Sequence, residues 1–200
     1  MMRCIEQDSL SRRRSIYQLN DHLPISEICF IETIESCVKH CPTAFNIQSA
    51  RLAVLFGKQH KLLWQTVWEA LQAVITSKQQ ESVKKKIDGF ARAAGTILFF
   101  EETKSLTALK KQFPQYAKNM RIWTQQANGM LQYMIWQTLA ENDVGASLQH
   151  YNGLIEKKVN ALFDLPKTWE LVAQMPFGAI ESEPAEKTFL PLGERIRVLR

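Results

Sequence analysis

Near the start of the chain, Arg12-Arg13-Arg14-Ser15-Ile16-Tyr17 sets three guanidinium groups against a hydroxyl. Guanidinium gives charge-assisted, often bidentate bonds to phosphate, and a serine adds another, so the string suits a phosphate ligand. By itself, a run of arginines is more often a solvated face. A second string, Pro42-Thr43-Ala44-Phe45-Asn46-Ile47-Gln48-Ser49-Ala50-Arg51, leads straight into an apolar segment. Asn46 and Gln48 fall on one side of an extended backbone, where two amides can read a heterocycle edge that both donates and accepts. The same residues also make an ordinary polar loop.

Side chains capable of catalysis on their own are scarce. There is no Gly-x-Ser-x-Gly elbow, no His-Glu-x-x-His and no glycine-rich phosphate loop. The four histidines, His22, His40, His60 and His150, lie far apart, and none has a neighbouring nucleophile that makes a convincing dyad. Such a chain fits an enzyme that delegates its chemistry to a bound cofactor and supplies grip, orientation and electrostatics. Cys4, Cys29, Cys37 and Cys41 read as reduced thiols. Cys37 and Cys41 sit one helical turn apart beside His40, but zinc wants a second ligand pair, so no metal site is expected.

Elements of both kinds must position these residues. Ser26 reads as an N-cap for a helix carrying Ile31, Ile34, Val38 and Cys41 on one face, and Pro42 stops it. Arg51–Phe56 is a buried strand closed by Gly57. A helix follows from Lys58, with the stripe Leu63, Val67, Leu71 and Val74 widened by Trp64, Trp68 and Ile75. Lys84–Lys86 read as solvated, and Gly95–Phe100 as a second buried strand. Pro114 opens a long helix whose Met120, Trp123, Ala127, Met130, Met134 and Thr138 keep a period near 3.5, and which should be buried nearly all round. A strand-like 145–148, a helix over 154–163, a strand over 169–175 ending in a Pro176-Phe177-Gly178 turn, and a final strand over 195–199 complete the reading. Long helices and about five strands in no βαβ rhythm give an α+β fold.

Composition narrows the class. At 200 residues, 46% hydrophobic and 22% charged, the chain is expected to form a single domain over 1–200 and to bury a core. No apolar run reaches the roughly 18 residues of a membrane span, and the start lacks the apolar stretch of a signal peptide, so a soluble cytoplasmic protein is expected. The net charge of +5 is scattered and not gathered on one face, which argues against nucleic acid as a partner.

Taken together, the strings resemble the FMN-dependent nitroreductase family. Asn128-Gly129-Met130-Leu131-Gln132-Tyr133, Gly145-Ala146-Ser147-Leu148-Gln149-His150-Tyr151-Asn152, Ala173-Gln174-Met175-Pro176-Phe177-Gly178 and Glu186-Lys187-Thr188-Phe189-Leu190-Pro191-Leu192 add to the match. They point to the branch of the fungal fatty-acid-repression-mutant proteins and bacterial copper-induced nitroreductase. The resemblance implies a nitroreductase-like α+β fold, with a central mixed or antiparallel sheet flanked by helices and two chains intertwined as a homodimer. It implies FMN at the interface, NADH or NADPH as donor, and ping-pong reduction of a small-molecule oxidant such as a nitroaromatic or quinone, with a link to oxidative-stress response. Carried over by motif position, Arg13, Arg14, Ser15 and Tyr17 would serve the phosphate and ribityl chain. Asn46 and Gln48 would come to the flavin ring, Ala146, Ser147 and Leu148 would line it, and Lys187 and Arg195 would reach the phosphate end. No side chain is expected to be catalytic, since FMN carries the hydride. Tyr17 stands where nitroreductases outside this branch carry a basic residue, which shifts the phosphate grip toward the arginines. The competing reading is a flavin-binding sensor or regulatory protein on the same fold without turnover.

Overall fold

The computed structural model describes residues 7–200; Cys4 and the rest of the 1–6 start lie outside them. Helix α1 (Gln7–Arg12) is followed by an extended segment, then α2 (Glu27–His40), β1 (Ala50–Phe56) and α3 (Gly57–Gln72). Next come α4 (Gln80–Ala91), β2 (Gly95–Glu102), α5 (Thr103–Gln112), α6 (Ala117–Glu141), β3 (Val144–Ala146), α7 (Asn152–Leu162) and β4 (Trp169–Ala179). The strands form one antiparallel sheet in the order β1-β2-β4-β3.

The near-continuous apolar run of β2 follows from its central place, because both faces of the sheet are covered. Ile97 and Phe99 pack with α2 and α6 on one face, while Leu98 and Phe100 pack with α3, α4 and α7 on the other. Ser26 caps α2 as expected, its hydroxyl accepting from the Cys29 N–H at 3.2 Å. Gly57, at φ +52°, turns the chain from β1 directly into α3, a left-handed conformation that glycine adopts without a Cβ penalty.

Three expectations are corrected. Val74 lies beyond the end of α3 and is exposed, so the buried stripe of that helix stops at Leu71. Helix α6 is not buried all round within one chain: Ile122, Met130 and Tyr133 face outward. Its inner face runs through Met120, Thr124, Ala127, Asn128, Leu131, Gln132, Ile135 and Leu139, rotated from the Met/Trp stripe because two amides sit inside it. No turn forms at Pro176-Phe177-Gly178, where β4 continues to Ala179. Proline is tolerated there because its missing N–H faces the side where β3 has ended; the Pro176 carbonyl on that side accepts from the Ser147 N–H at 3.3 Å. Gly178 serves a close approach, since a Cβ on it would lie 2.3 Å from the Asn20 carbonyl oxygen.

Residues 195–199, of which Arg195 to Val198 alternate charged and apolar side chains, form no strand among the described residues. The chain leaves the sheet after Ile180, and its last stretch exposes Phe189, Leu190, Leu192, Ile196, Val198 and Leu199.

Candidate functional site

The extended segment after α1 lies across the ends of β3 and β4. Ser15 bridges to Ala146 in parallel, the Ile16 N–H donates to the Ala146 carbonyl at 2.9 Å, and Leu19 bridges to Ile180. Ile16 and Leu19 are buried with Ala93 and anchor the segment by its apolar side chains. The arginine-serine string is thereby held against the Ala146-Ser147-Leu148 backbone, although 130 residues separate them in sequence.

The three arginines take different roles. Arg12 pairs with Asp143 at 3.8 Å, both well exposed. Arg13 lays its guanidinium over the Trp136 ring, 4.4 Å from the centroid. Arg14 donates from one Nη to the Ala185 carbonyl at 2.5 Å, and its Nε is buried with no partner among the described residues. A groove of about 430 Å³ opens there, with Arg14, Ser15 and Tyr17 on one bank and Ser182, Ala185 and Lys187 on the other. Glu183 is the carboxylate on its rim. A guanidinium, an ammonium and a hydroxyl lining one groove suit a phosphate monoester, so the residues present fit the phosphate end of FMN.

Ala146 and Ser147 are buried, and Leu148 half-buried, beside this groove. The Ser147 hydroxyl accepts from Gln149 Nε2 at 3.2 Å, while Gln149 and Gln174 exchange backbone bonds of 2.7 and 2.9 Å. The loop run is therefore fixed before any ligand arrives.

Asn46 and Gln48 are placed elsewhere. They are exposed on the short 3₁₀ turn (Ala44–Asn46) and its exit, at the entry to β1, and share no pocket with the Arg14 groove among the described residues. Their backbone is unusual: Phe45, Asn46 and Gln48 have φ of 54°, 51° and 50°. Thr43 Oγ1 accepts from the Gln48 N–H at 3.2 Å, and Arg51 Nη1 donates to the Gln48 and Ala50 carbonyls at 2.7 and 2.9 Å. Phe45 stacks on Phe113 at 4.8 Å. Arg195 lies on the exposed terminal stretch, outside the groove.

Two buried titratable groups escaped the sequence reading. His60 is 1% exposed; its Nδ1 lies 2.9 Å from Thr96 Oγ1 and its Nε2 3.2 Å from the Ala91 carbonyl. Burial pulls its pKa down to about 4. Glu101 is 7% exposed and accepts from Asn128 Nδ2 at 2.8 Å; burial pushes its carboxyl up. A carboxylate inside the apolar run 95–100 and its flank was the available signal for Glu101; His60 looked like any helix-surface residue. Cys37 is buried and Cys41 half-buried, and no cluster of three or more metal-ligating side chains occurs among the described residues.

Among the described residues, no helix is long and apolar enough to cross a membrane. Residues 10–179 match the model of the nitroreductase family. Nitroreductase FRM2 of Saccharomyces cerevisiae is 30% identical over 185 residues, 92% of each chain. The structure of nitroreductase CinD from Lactococcus lactis in complex with chloramphenicol superposes with a TM-score of 0.89 at 40% identity, covering 96% of this chain and 98% of that one. A Desulfovibrio desulfuricans protein solved in complex with FMN shares the fold at 14% identity, with a TM-score of 0.72 over 100% of this chain and 99% of that one.

Proposed function

Because the chain belongs to the nitroreductase family, we propose that it is an FMN-dependent NAD(P)H oxidoreductase reducing nitroaromatics, quinones or similar small oxidants. The observation that carries this reading is the Arg14–Ser15–Lys187 groove, with an unpartnered buried Nε, set against the Ala146–Leu148 backbone. Arg14 and Lys187 would hold the cofactor phosphate and Ser15 would add a hydroxyl. Bound there, the flavin supplies the hydride chemistry. The protein's contribution is electrostatic: cations and N–H groups that favour an anionic reduced ring, on a backbone already fixed in place.

A homodimer completes the proposal. Strand β1 pairs with β2 on one side, and its other edge carries no strand among the described residues. Beside that edge, Ile31, Ile34, Val38, Leu52 and Val54 line a mainly apolar groove of about 460 Å³ that Glu35, Lys39 and Arg51 also line. The arm over 195–199 alternates Arg195, Ile196, Arg197 and Val198 and pairs with no strand among the described residues. An unpaired edge and an unpaired alternating segment complement one another between two copies of the chain. Such an exchange would also bring the Asn46–Gln48 loop, at the head of β1, under the partner's terminal segment.

An absorbance spectrum tests the reading. Purified protein, or protein reconstituted with FMN, should show a flavin spectrum that bleaches when NADH or NADPH is added without oxygen and returns on adding a quinone. Initial rates against both substrates should give the parallel lines of a ping-pong mechanism. A preparation that takes up no FMN refutes the proposal; one that binds FMN but never oxidises NAD(P)H is a sensor.

A further inference from the structure

We infer that Glu101 is a positioning residue for the flavin-reading loop: its buried carboxyl, bonded to Asn128 of helix α6, stands opposite Ala50 where the Asn46–Gln48 turn enters β1. The inference rests on the proposed role of those two amides. Left-handed backbone is unfavourable for most L-residues, and this loop holds three residues in it, Phe45, Asn46 and Gln48. A turn of that kind persists only where its surroundings over-determine it. From above, Thr43, Arg51 and the Phe45–Phe113 stack constrain it. From below, Glu101 stands opposite Ala50 in the β1–β2 register, one residue past Ser49.

The carboxyl is the end of a buried polar chain. Gln132 Nε2 donates to Asn128 Oδ1 at 2.7 Å, and Asn128 Nδ2 donates to the Phe100 carbonyl at 3.1 Å and to Glu101 Oε1 at 2.8 Å. Ser49, 1% exposed, lies against the same carboxyl and favours its charged form. The Glu102 N–H donates to the Ser49 carbonyl at 2.9 Å, so the backbone next to Glu101 holds the loop exit against β2. Glu101 Oε2 is buried with no partner among the described residues. The charged groups facing the carboxyl are Arg51 on β1 and Glu170 on β4, the latter paired with Arg121 of α6. Burial and Glu170 disfavour the ionised form, while Asn128, Ser49 and Arg51 favour it. A buried acid in such surroundings costs stability that an apolar residue of similar volume would avoid. What the acid provides is an acceptor at the junction of α6 with the exit of the loop.

The test titrates FMN by fluorescence quenching and records the visible circular dichroism of the bound flavin. Glu101→Gln keeps an acceptor for Asn128 and should bind within about threefold of wild type, with the same dichroism. Glu101→Leu should weaken FMN binding by about tenfold or more and alter the dichroism. In that background Asn46→Ala should add little further loss, because an amide no longer held in place has little left to contribute. If Glu101→Leu melts early, Asn128→Leu removes the donor from the α6 side and should show the same loss. Wild-type affinity and dichroism in Glu101→Leu, or in Asn128→Leu where that variant stands in, overturn the inference. Losses that simply add with Asn46→Ala do so too. A wild-type chain that binds no FMN overturns the functional reading as well, which separates the two failures.

Discussion

Arg14 reaches across 171 residues of sequence to donate to the Ala185 carbonyl at 2.5 Å, and in doing so ties the N-terminal string to the segment that carries Lys187. The bond uses one guanidinium nitrogen and leaves Nε buried and unspent. A guanidinium held by a neutral carbonyl keeps its full charge for an anion in the groove. Arg13, stacked on Trp136, lines no part of that groove.

The two arginines should therefore separate on substitution. Arg14→Ala should weaken FMN binding by about 10- to 100-fold, the 1.5–3 kcal/mol of a hydrogen bond to a charged group. Arg14→Lys should recover only part of this, because an ammonium keeps the charge and loses the planar fork. Arg13→Ala should cost about 0.5–1 kcal/mol of stability through the lost ring contact and leave FMN affinity within a few-fold. Fluorescence titration with FMN, alongside thermal melts of the apoprotein, measures both. Equal FMN affinity in Arg14→Ala and wild type would remove Arg14 from the site.

Much of this architecture is legible in the residues themselves. Thr96–Phe100 announces a strand covered on both faces, and Ser26 and Pro42 bracket α2 because capping and proline chemistry are local. The inner face of α6 is not legible locally, because Asn128 and Gln132 look like surface residues until β2 supplies the partners of Asn128 and Asn128 in turn accepts from Gln132. Pro176-Phe177-Gly178 looks like a turn, since neither the short reach of β3 nor the approach of Asn20 to Gly178 leaves a local trace. For the site, motif order names Arg14, Ser15 and Ala146–Leu148, and the fold sets Ser15 beside Ala146. The partnership of Arg14 with Ala185 is a long-range contact that no spacing rule encodes.

The terminal arm yields a second prediction. Phe189 and Leu199 are 78% and 90% exposed, and the arm contributes nothing to either large core cluster. Removing residues 189–200 keeps Lys187 and should leave the fold and its melting profile largely intact. The dimer should dissociate, because the segment proposed to pair with the partner's β1 edge is gone. Sedimentation velocity of the full and shortened chains at matched concentrations reads this directly. A shortened chain that remains as tightly dimeric as the full one places the interface elsewhere.

His60 sets a pH dependence independent of the site. The Ala91 carbonyl can only accept, so Nε2 carries the proton and Nδ1 accepts from the Thr96 hydroxyl, whose oxygen in turn accepts from Trp64 Nε1–H at 3.0 Å. Every polar atom of this buried trio is paired only while the imidazole is neutral, which agrees with a pKa pulled down by burial from 6.5 to about 4. Between those values the unfolded chain binds a proton that the folded chain refuses, so stability rises with pH across that window. The contribution is complete above about pH 6.5 and lost as pH falls toward 4, up to about 3 kcal/mol in all. Glu101 acts in the opposite sense, its raised pKa removing stability as pH climbs above the ordinary carboxylate value, so the raw profile mixes the two. The difference between wild type and His60→Gln cancels the Glu101 part. Denaturant unfolding of both proteins from pH 4 to 7 should show the wild type losing the larger share of its stability on acidification. Parallel curves would mean that His60 takes up its proton in the folded state as readily as in the unfolded chain.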